Sequence, residues 1–227
     1  MKTRSQSAFT LIEMLVVISI IAVLAAFAVP ALTSALTKGQ MTGTMNNARQ
    51  LYLAAQQMAL DGAANSDPAL GWPGDYAAGT VVTLADYANV LVNNDYLKPG
   101  DLQKLLNGPG TSCIVTPGTA GPPPTPLTLA NPAALKVFLV KAADSSNVVF
   151  AESANYTYNT ALPPNVNPFG DKGFIVQRKG GDATILRKNN AANAGNPTLF
   201  QGTVGKKVND ADGTVTAEAG TDILTPP

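Results

Sequence analysis

The stretch AFTLIEMLVVISIIAVLAAFAVP, from Ala8 to Pro30, decides how the rest of this chain must be organised. Between Phe9 and Val29 the polar side chains are those of Thr10, Glu13 and Ser19. An α-helix rises ~1.5 Å per residue, so this run spans about 31 Å, which matches the hydrocarbon core of a bilayer. The run therefore predicts a membrane-spanning helix with one ionisable side chain near its beginning.

Basic residues around the run predict its orientation. Lys2 and Arg4 precede it, and only Lys38 and Arg49 occur in the stretch that follows. Because positively charged flanks stay on the cytoplasmic side, we expect a single pass with the N-terminus in the cytoplasm and the bulk of the chain outside.

Two ordinary interpretations of this segment compete. In the first it is a secretory signal peptide with a small-residue cleavage site at Ala26-Phe27-Ala28, which would release a soluble enzyme or carbohydrate-binding protein beginning at Val29. In the second it is a plain membrane anchor, and Glu13 reaches the interface. Neither explains the carboxylate well, because a charge within an apolar segment is costly to insert.

The same residues resemble the processing site and N-terminal helix of type IV prepilins and type II secretion pseudopilins. In that family a membrane prepilin peptidase removes a short basic leader, here residues 1–8, before a residue that is usually Phe, and methylates the new N-terminus. The resemblance implies cleavage between Ala8 and Phe9, methylation of Phe9 and a role for Glu13 in filament assembly. Pro30 falls where the family commonly has a helix-bending proline. Ala8 departs from the family pattern, in which glycine usually precedes the cut.

Physical chemistry gives the acid at position 13 a purpose in such a filament. A carboxylate buried alone is unfavourable, but pairing with the cationic amine of a neighbouring subunit's Phe9 offsets much of that cost in a low-dielectric surrounding. The aliphatic side chains of neighbouring helices can pack in many relative positions. An axial offset that leaves the Glu13 charge unpaired is unfavourable, so the charge selects one offset. We therefore expect Glu13 to set the register between subunits.

Beyond Pro30 the helical pattern continues as an amphipathic segment over residues 31–61. A narrow stripe of apolar or small side chains recurs in steps of four and three: Met41, Met45, Ala48, Tyr52, Ala55 and Ala59, widened by Leu51 and Met58. This stripe predicts that the second half of the helix packs on a globular domain. Asp61-Gly62 is a plausible end of the helix.

Residues 62–134 are predicted to be an insert of loops and short helices, and residues 135–227 an antiparallel sheet with C-terminal loops. The sequence from Thr83 to Asp86 is typical of a helix-capping box, and LKPGDLQKLLNG predicts a second short helix closed by Asn107-Gly108. Runs at Leu135–Val140 and Val148–Glu152 predict strands. A hairpin is predicted from Gly173–Arg178 and Ala183–Arg187 around a Gly-rich turn.

These elements predict an α+β fold, in which a long N-terminal helix packs on a small antiparallel β-sheet with helical and loop inserts. That pilin-like architecture is also what the resemblance implies. In the 62–134 insert, Trp72 is predicted to pin the loop onto the helix.

Composition excludes several classes of function. The net charge is zero, so no nucleic-acid partner is predicted. The chain has no histidine, which removes His-based triads and HExxH metal sites, and no enzyme is predicted. Cys113 is the single cysteine, so no intrachain disulfide can form, and we expect it to be a small buried side chain.

The C-terminal region holds weak candidates for a calcium site, which major pseudopilins often carry. Asp210 and Asp212 are spaced as at the start of an EF-hand loop, but Thr214 and the lack of a suitably placed glutamate break that pattern. Glu218 and Asp222 could complete a different oxygen cage. A solvated turn is the favoured interpretation of this region. We therefore predict no cofactor, and a bound calcium ion is the alternative.

The sequence thus predicts a structural subunit of a pilus-like filament in the bacterial inner membrane, with its C-terminal domain in the periplasm. The expected filament is the type II secretion pseudopilus, because many type IV pilins have a disulfide that this chain cannot form. The alternative is a surface type IV pilin for adhesion, motility or DNA uptake. Expected partners are prepilin peptidase, identical or related pilin-like subunits, the inner membrane, and secretion or pilus assembly machinery.

Overall fold

The computed structural model describes residues 10–119, 125–158, 160–192 and 223–227. The chain divides into two compact units, one up to Gly39 and the other from Gln40 onward. Helix α1 (Leu11–Asn65) accounts for nearly all described residues of the first unit and supplies the first element of the second.

From Leu11 to Val29, the part of α1 in the first unit presents exposed apolar side chains on every side. Its aliphatic and aromatic side chains are about half exposed or more, with Leu11 at 82% and Phe27 at 78%. A helix that is apolar all round requires an apolar environment, and this one is long and apolar enough to cross a membrane. It runs through Pro30 without interruption, although proline has no N–H to donate to the carbonyl four residues earlier. A bend at this position stays a prediction.

The part of α1 in the second unit buries one stripe, as the sequence pattern predicted. The buried residues are Met41, Thr44, Ala48, Leu51, Tyr52, Ala54, Ala55, Met58 and Gly62. Thr44 is the polar member that the pattern missed, and its hydroxyl donates to the Gln40 carbonyl at 3.2 Å. Because that hydroxyl bonds to its own helix, it can be buried without an unsatisfied polar group.

Helix α1 continues to Asn65 instead of ending at the predicted Asp61-Gly62. The turn that ends it uses Ser66, which adopts a left-handed backbone with φ of 54°, and the N–H of Asp67 donates to the Gly62 carbonyl at 2.9 Å. Gly62 serves packing here, because a Cβ at this position would lie 1.9 Å from the carbonyl oxygen of Leu70.

Two short helices follow, α2 (Leu84–Asn93) and α3 (Pro99–Leu106). The predicted capping box of α2 is confirmed. The Thr83 hydroxyl accepts from the Asp86 N–H at 3.1 Å, and the Asp86 carboxylate accepts from the Thr83 N–H at 2.8 Å. Helix α3 begins with proline, where the missing N–H costs nothing, and ends at the C-cap Asn107, as predicted.

Within the described residues, the strands form two antiparallel sheets. The smaller sheet pairs β1 (Ile114–Thr116) with β2 (Thr128–Ala130). The larger sheet has four strands that lie side by side in chain order: β3 (Leu135–Val137), β4 (Val149–Ser153), β5 (Gly173–Arg178) and β6 (Ala183–Arg187). A 3-10 turn, Lys188–Asn190, follows β6.

The β5–β6 hairpin confirms the sequence prediction, with Phe174 opposite Leu186. Gly181 has a φ of 94°, a conformation that glycine adopts without strain. Strand β3 is shorter than the predicted Leu135–Val140. It ends early because the N–H of Val140 bonds back to the carbonyl of Phe138 at 2.9 Å, which turns the chain away from the ladder.

Aromatic side chains join the helix to the larger sheet. The ring centroid of Trp72 lies 5.9 Å from that of Tyr52 on α1 and 5.7 Å from that of Phe150 on β4. Trp72 is 7% exposed, so it pins the loop after α1 against both elements, as predicted. The α+β fold class, a long helix with antiparallel sheets, is confirmed.

We predict that Gly62→Ala destabilises the second unit, because the added methyl group would overlap the Leu70 backbone. The expected loss is about 1–3 kcal/mol, as for other overpacked sites. The matched control is Gly43→Ala in the same helix, where a Cβ meets nothing within 4 Å. That change should be neutral or stabilising by about 0.5–1 kcal/mol.

Thermal unfolding in detergent, followed by circular dichroism, measures both variants. The melting temperature should fall by several degrees for Gly62→Ala and not for Gly43→Ala. Equal melting temperatures would show that the approach of Leu70 to the helix is not a constraint.

Candidate assembly site at the start of the N-terminal helix

The predicted cleavage residues Ala8 and Phe9 lie outside the described residues, so the described part of the candidate site begins at Thr10. Thr10 directly precedes the first helical residue, Leu11, and its carbonyl accepts the first helical hydrogen bond, from the Met14 N–H at 3.4 Å. Thr10 is therefore the N-cap of α1. Glu13 occupies the third helical position, one turn into the helix.

Thr10 and Glu13 form a reciprocal capping box. The backbone N–H and the hydroxyl of Thr10 each donate to Oε2 of Glu13 at 2.8 Å. The Glu13 N–H in turn donates to the Thr10 hydroxyl oxygen at 3.3 Å. Two backbone donors that the first turn cannot satisfy by itself thus obtain acceptors.

The box gives the Glu13 carboxylate a function within its own subunit. In the apolar surroundings that this helix requires, an N–H without an acceptor is costly. The carboxylate accepts from the Thr10 N–H directly, and by accepting from the Thr10 hydroxyl it orients that group to accept from the Glu13 N–H. The negative charge also lies at the helix N-terminus, where the backbone dipole favours an anion. Among the described residues, Oε1 accepts no hydrogen bond, so one carboxylate oxygen can meet a further donor.

Sequence reasoning missed this contact, although the signal was present. A Thr-x-x-Glu pattern immediately before an apolar run is the signature of a capping box. The same rule identified the cap of α2 at Thr83. At Glu13 the same spacing places an N-cap hydroxyl, that of Thr10, three residues before the acid.

Ser19 within the apolar segment and Thr33 just beyond it also bond to their own backbone. The Ser19 hydroxyl donates to the Val16 carbonyl at 2.7 Å, and the Thr33 hydroxyl donates to the Pro30 carbonyl at 3.0 Å. Such local bonds let hydroxyls enter an apolar medium at low cost. Glu13 is the single acidic residue of the segment, and it differs from these hydroxyl residues because it carries a charge.

An open cleft of about 700 Å³ lies between α2 and the loop that follows α1. Of its two carboxylates, Asp75 accepts from the N–H groups of Trp72 and Ala142 at 3.0 to 3.2 Å. Burial raises the pKa of Asp86, but hydrogen bonds from Thr83 and from the residue before it lower that pKa below its usual value. Both carboxylates hold backbone segments together and thereby serve the fold.

The remaining candidates have different outcomes. Cys113 is 1% exposed, and burial raises the pKa of its thiol, which disfavours the reactive thiolate. Within the described ranges, no three His, Cys, Asp or Glu side chains are grouped to hold a metal ion. The calcium candidates all lie outside those ranges and stay predictions: Asp210, Asp212, Glu218 and Asp222.

Known proteins share the N-terminal segment. Residues 3–29 match the family described as the prokaryotic N-terminal methylation motif. A type IV major fimbrial protein, FimA, of Dichelobacter nodosus is 35% identical over 86 residues, which cover 35% of this chain and 55% of the relative. A second FimA of that organism is 36% identical over 67 residues, covering 30% of this chain and 43% of the relative. No solved structure is significantly similar.

These matches confirm the resemblance to the type IV pilin superfamily that the sequence indicated. The chain spans about half the length of the curated relatives it matches. The expected closeness to major pseudopilins receives no support from them.

We predict that Thr10→Val loosens the first turn of α1, because valine keeps the shape of threonine but lacks the hydroxyl. Loss of an N-cap side chain shifts such an equilibrium by roughly fivefold. In detergent micelles the Glu13 amide should therefore exchange its hydrogen several-fold faster than in the unaltered chain. Thr10→Ser keeps the hydroxyl and is the control. Equal exchange in both variants would show that the box does not stabilise the turn.

Proposed function

We propose that this chain is a type IV pilin-like structural subunit that is processed at its N-terminus and assembles into a filament through α1. The observation that carries the proposal is the methylation motif at residues 3–29, which opens an apolar helix that is exposed on every side. Such a helix needs a cover of lipid before assembly and of other helices after it. These features support a structural role in a filament.

A surface type IV pilus is the filament we propose. Relatives named type IV major fimbrial proteins favour it over the type II secretion pseudopilus that the missing cysteine pair suggested. The pseudopilus interpretation rests on that one cysteine, Cys113, whereas the pilus interpretation rests on sequence identity.

The membrane stage of the proposal uses the charge pattern of the flanks. Before assembly the subunit would lie in the bacterial inner membrane as a single pass, with Lys2 and Arg4 in the cytoplasm and the second unit in the periplasm. Prepilin peptidase would cut between Ala8 and Phe9 on the cytoplasmic side. Pilus assembly machinery would then move the processed subunit into the filament.

Glu13 would act twice in this sequence of events. In the lone subunit its carboxylate caps α1 through Thr10. In the filament it would additionally pair with the amine of a neighbouring subunit's Phe9, using the oxygen that the cap leaves open. The cap needs an acceptor oxygen, whereas the pairing needs a negative charge, so amide substitution separates the two roles.

We predict that the mature protein begins at Phe9 and carries about one additional methyl group. The intact mass of the protein purified from membranes measures both features at once. A mature chain that begins at Val29 would instead establish a signal peptide and contradict the filament proposal.

We also predict that Glu13→Gln blocks filament formation while membrane insertion and leader removal persist. Glutamine keeps an acceptor for the cap, but it leaves the neighbouring Phe9 amine buried without a counter-charge. Removal of one partner from a buried ion pair reduces a docking equilibrium by ~100-fold or more. Glu13→Leu should fail in the same way, and Glu13→Asp should be intermediate because its charge has a shorter reach.

Membrane fractionation, intact mass and electron microscopy of sheared filaments measure the three steps separately. Normal filaments from an inserted and processed Glu13→Gln protein would show that Glu13 is a cap without a pairing role. Filaments on the cell surface support the pilus proposal, whereas their absence together with loss of protein secretion in a deletion strain would favour the pseudopilus.

A further inference from the structure

An extended segment near the end of the chain, Ile223–Thr225, lies between two parts of the second unit, and we call it the clasp. On one side the N–H of Leu224 donates to the carbonyl of Val137 in β3 at 2.9 Å. On the other side the N–H of Thr225 donates to the carbonyl of Val82 at 3.0 Å. The Thr225 carbonyl accepts from the Leu84 N–H, also at 3.0 Å.

The alternation of these bonds is that of a strand with neighbours on both edges. Successive residues of an extended chain direct their backbone groups to opposite sides, and residues 224 and 225 do so. Ile223 forms an antiparallel bridge with Phe138, and Thr225 forms a parallel bridge with Thr83. The clasp therefore fills a slot whose two walls are β3 and the beginning of α2.

Both walls have backbone groups that need the clasp. Strand β3 is the outermost strand of the four-stranded sheet, so its free edge would otherwise leave the Val137 carbonyl without a strand partner. The Leu84 N–H is one of the first donors of α2, which the helix cannot satisfy internally. Leu224 adds an apolar contact, since it is 1% exposed and joins the main hydrophobic core.

We propose that the slot between residues 82–84 and 137–138 is a binding site for an extended peptide with an aliphatic central residue, and that the clasp is its resident ligand. Recognition uses three backbone hydrogen bonds and one buried side chain, which are the elements of strand addition at a sheet edge. The clasp can leave the slot without unfolding the β5–β6 hairpin, and the same sequence can refill the slot as a separate molecule. This proposal does not rest on filament formation.

The test uses the full chain in detergent micelles and residue-resolved amide hydrogen exchange. Leu224→Asp should expel the clasp, because it would bury an unpaired carboxylate. The Leu84 amide should then exchange ~10-fold faster or more, while the paired amides of β5 and β6 keep their rates. Thr225→Ala is the matched control, since the Thr225 side chain is exposed and its bonds are backbone bonds. It should leave the Leu84 amide slow.

A synthetic peptide with the sequence of residues 221–227, added at millimolar concentration to the Leu224→Asp protein, should restore slow exchange at Leu84. The same peptide with aspartate in place of leucine should not restore it. Unchanged Leu84 exchange in the variant, or no recovery with the peptide, would overturn the proposal. Loss of protection throughout β5 and β6 would overturn it as well, because the clasp would then be an inseparable part of the core.

Discussion

The backbone hydrogen bonds of α1 are the constraint on which the rest of the structure depends. A helix that is apolar all round must satisfy its polar groups without water, and several of the polar groups of α1 are satisfied by local hydrogen bonds. Ser19 and Thr33 bond to carbonyls of the preceding turn, and Glu13 closes the beginning of the helix. The C-terminal part of α1, by contrast, packs within the second unit, where Gly62 leaves room for the backbone of the loop that follows the helix. One helix thus meets two environments.

Local patterns carried most of what could be predicted from the sequence. Helix α1, the cap at Thr83 and the hairpin from Gly173 to Arg187 each depend on residues close together in the chain, whose periodicity and turn chemistry are visible directly. The Thr10 cap belongs to the same group, because its signal is equally local. These elements predicted the α+β class. The apolar stripe of the amphipathic helix must be buried, and packing on the predicted strands is the simplest way to bury it.

Long-range contacts account for what could not be predicted. In the sequence Gly62 indicates a helix end, but it lies inside α1, where it allows the close approach of the Leu70 backbone, and the helix ends only at Asn65. The clasp pairs with residues more than 80 positions away, and its short sequence, followed by Pro226 and Pro227, has no strand periodicity. The proposed ionic partner of Glu13 is the Phe9 amine of a neighbouring subunit, so a single copy of the chain cannot test that pairing.

The position of Trp72 has a spectroscopic consequence. It is the one tryptophan of the chain, so fluorescence excited at the red edge of indole absorption arises from the single place where the loop, α1 and β4 meet. The ammonium of Lys179 lies 5.8 Å from the centre of the ring, and Tyr52 is close enough to transfer excitation to it. Emission from the intact subunit therefore reports the docking of this loop on the helix without any attached dye.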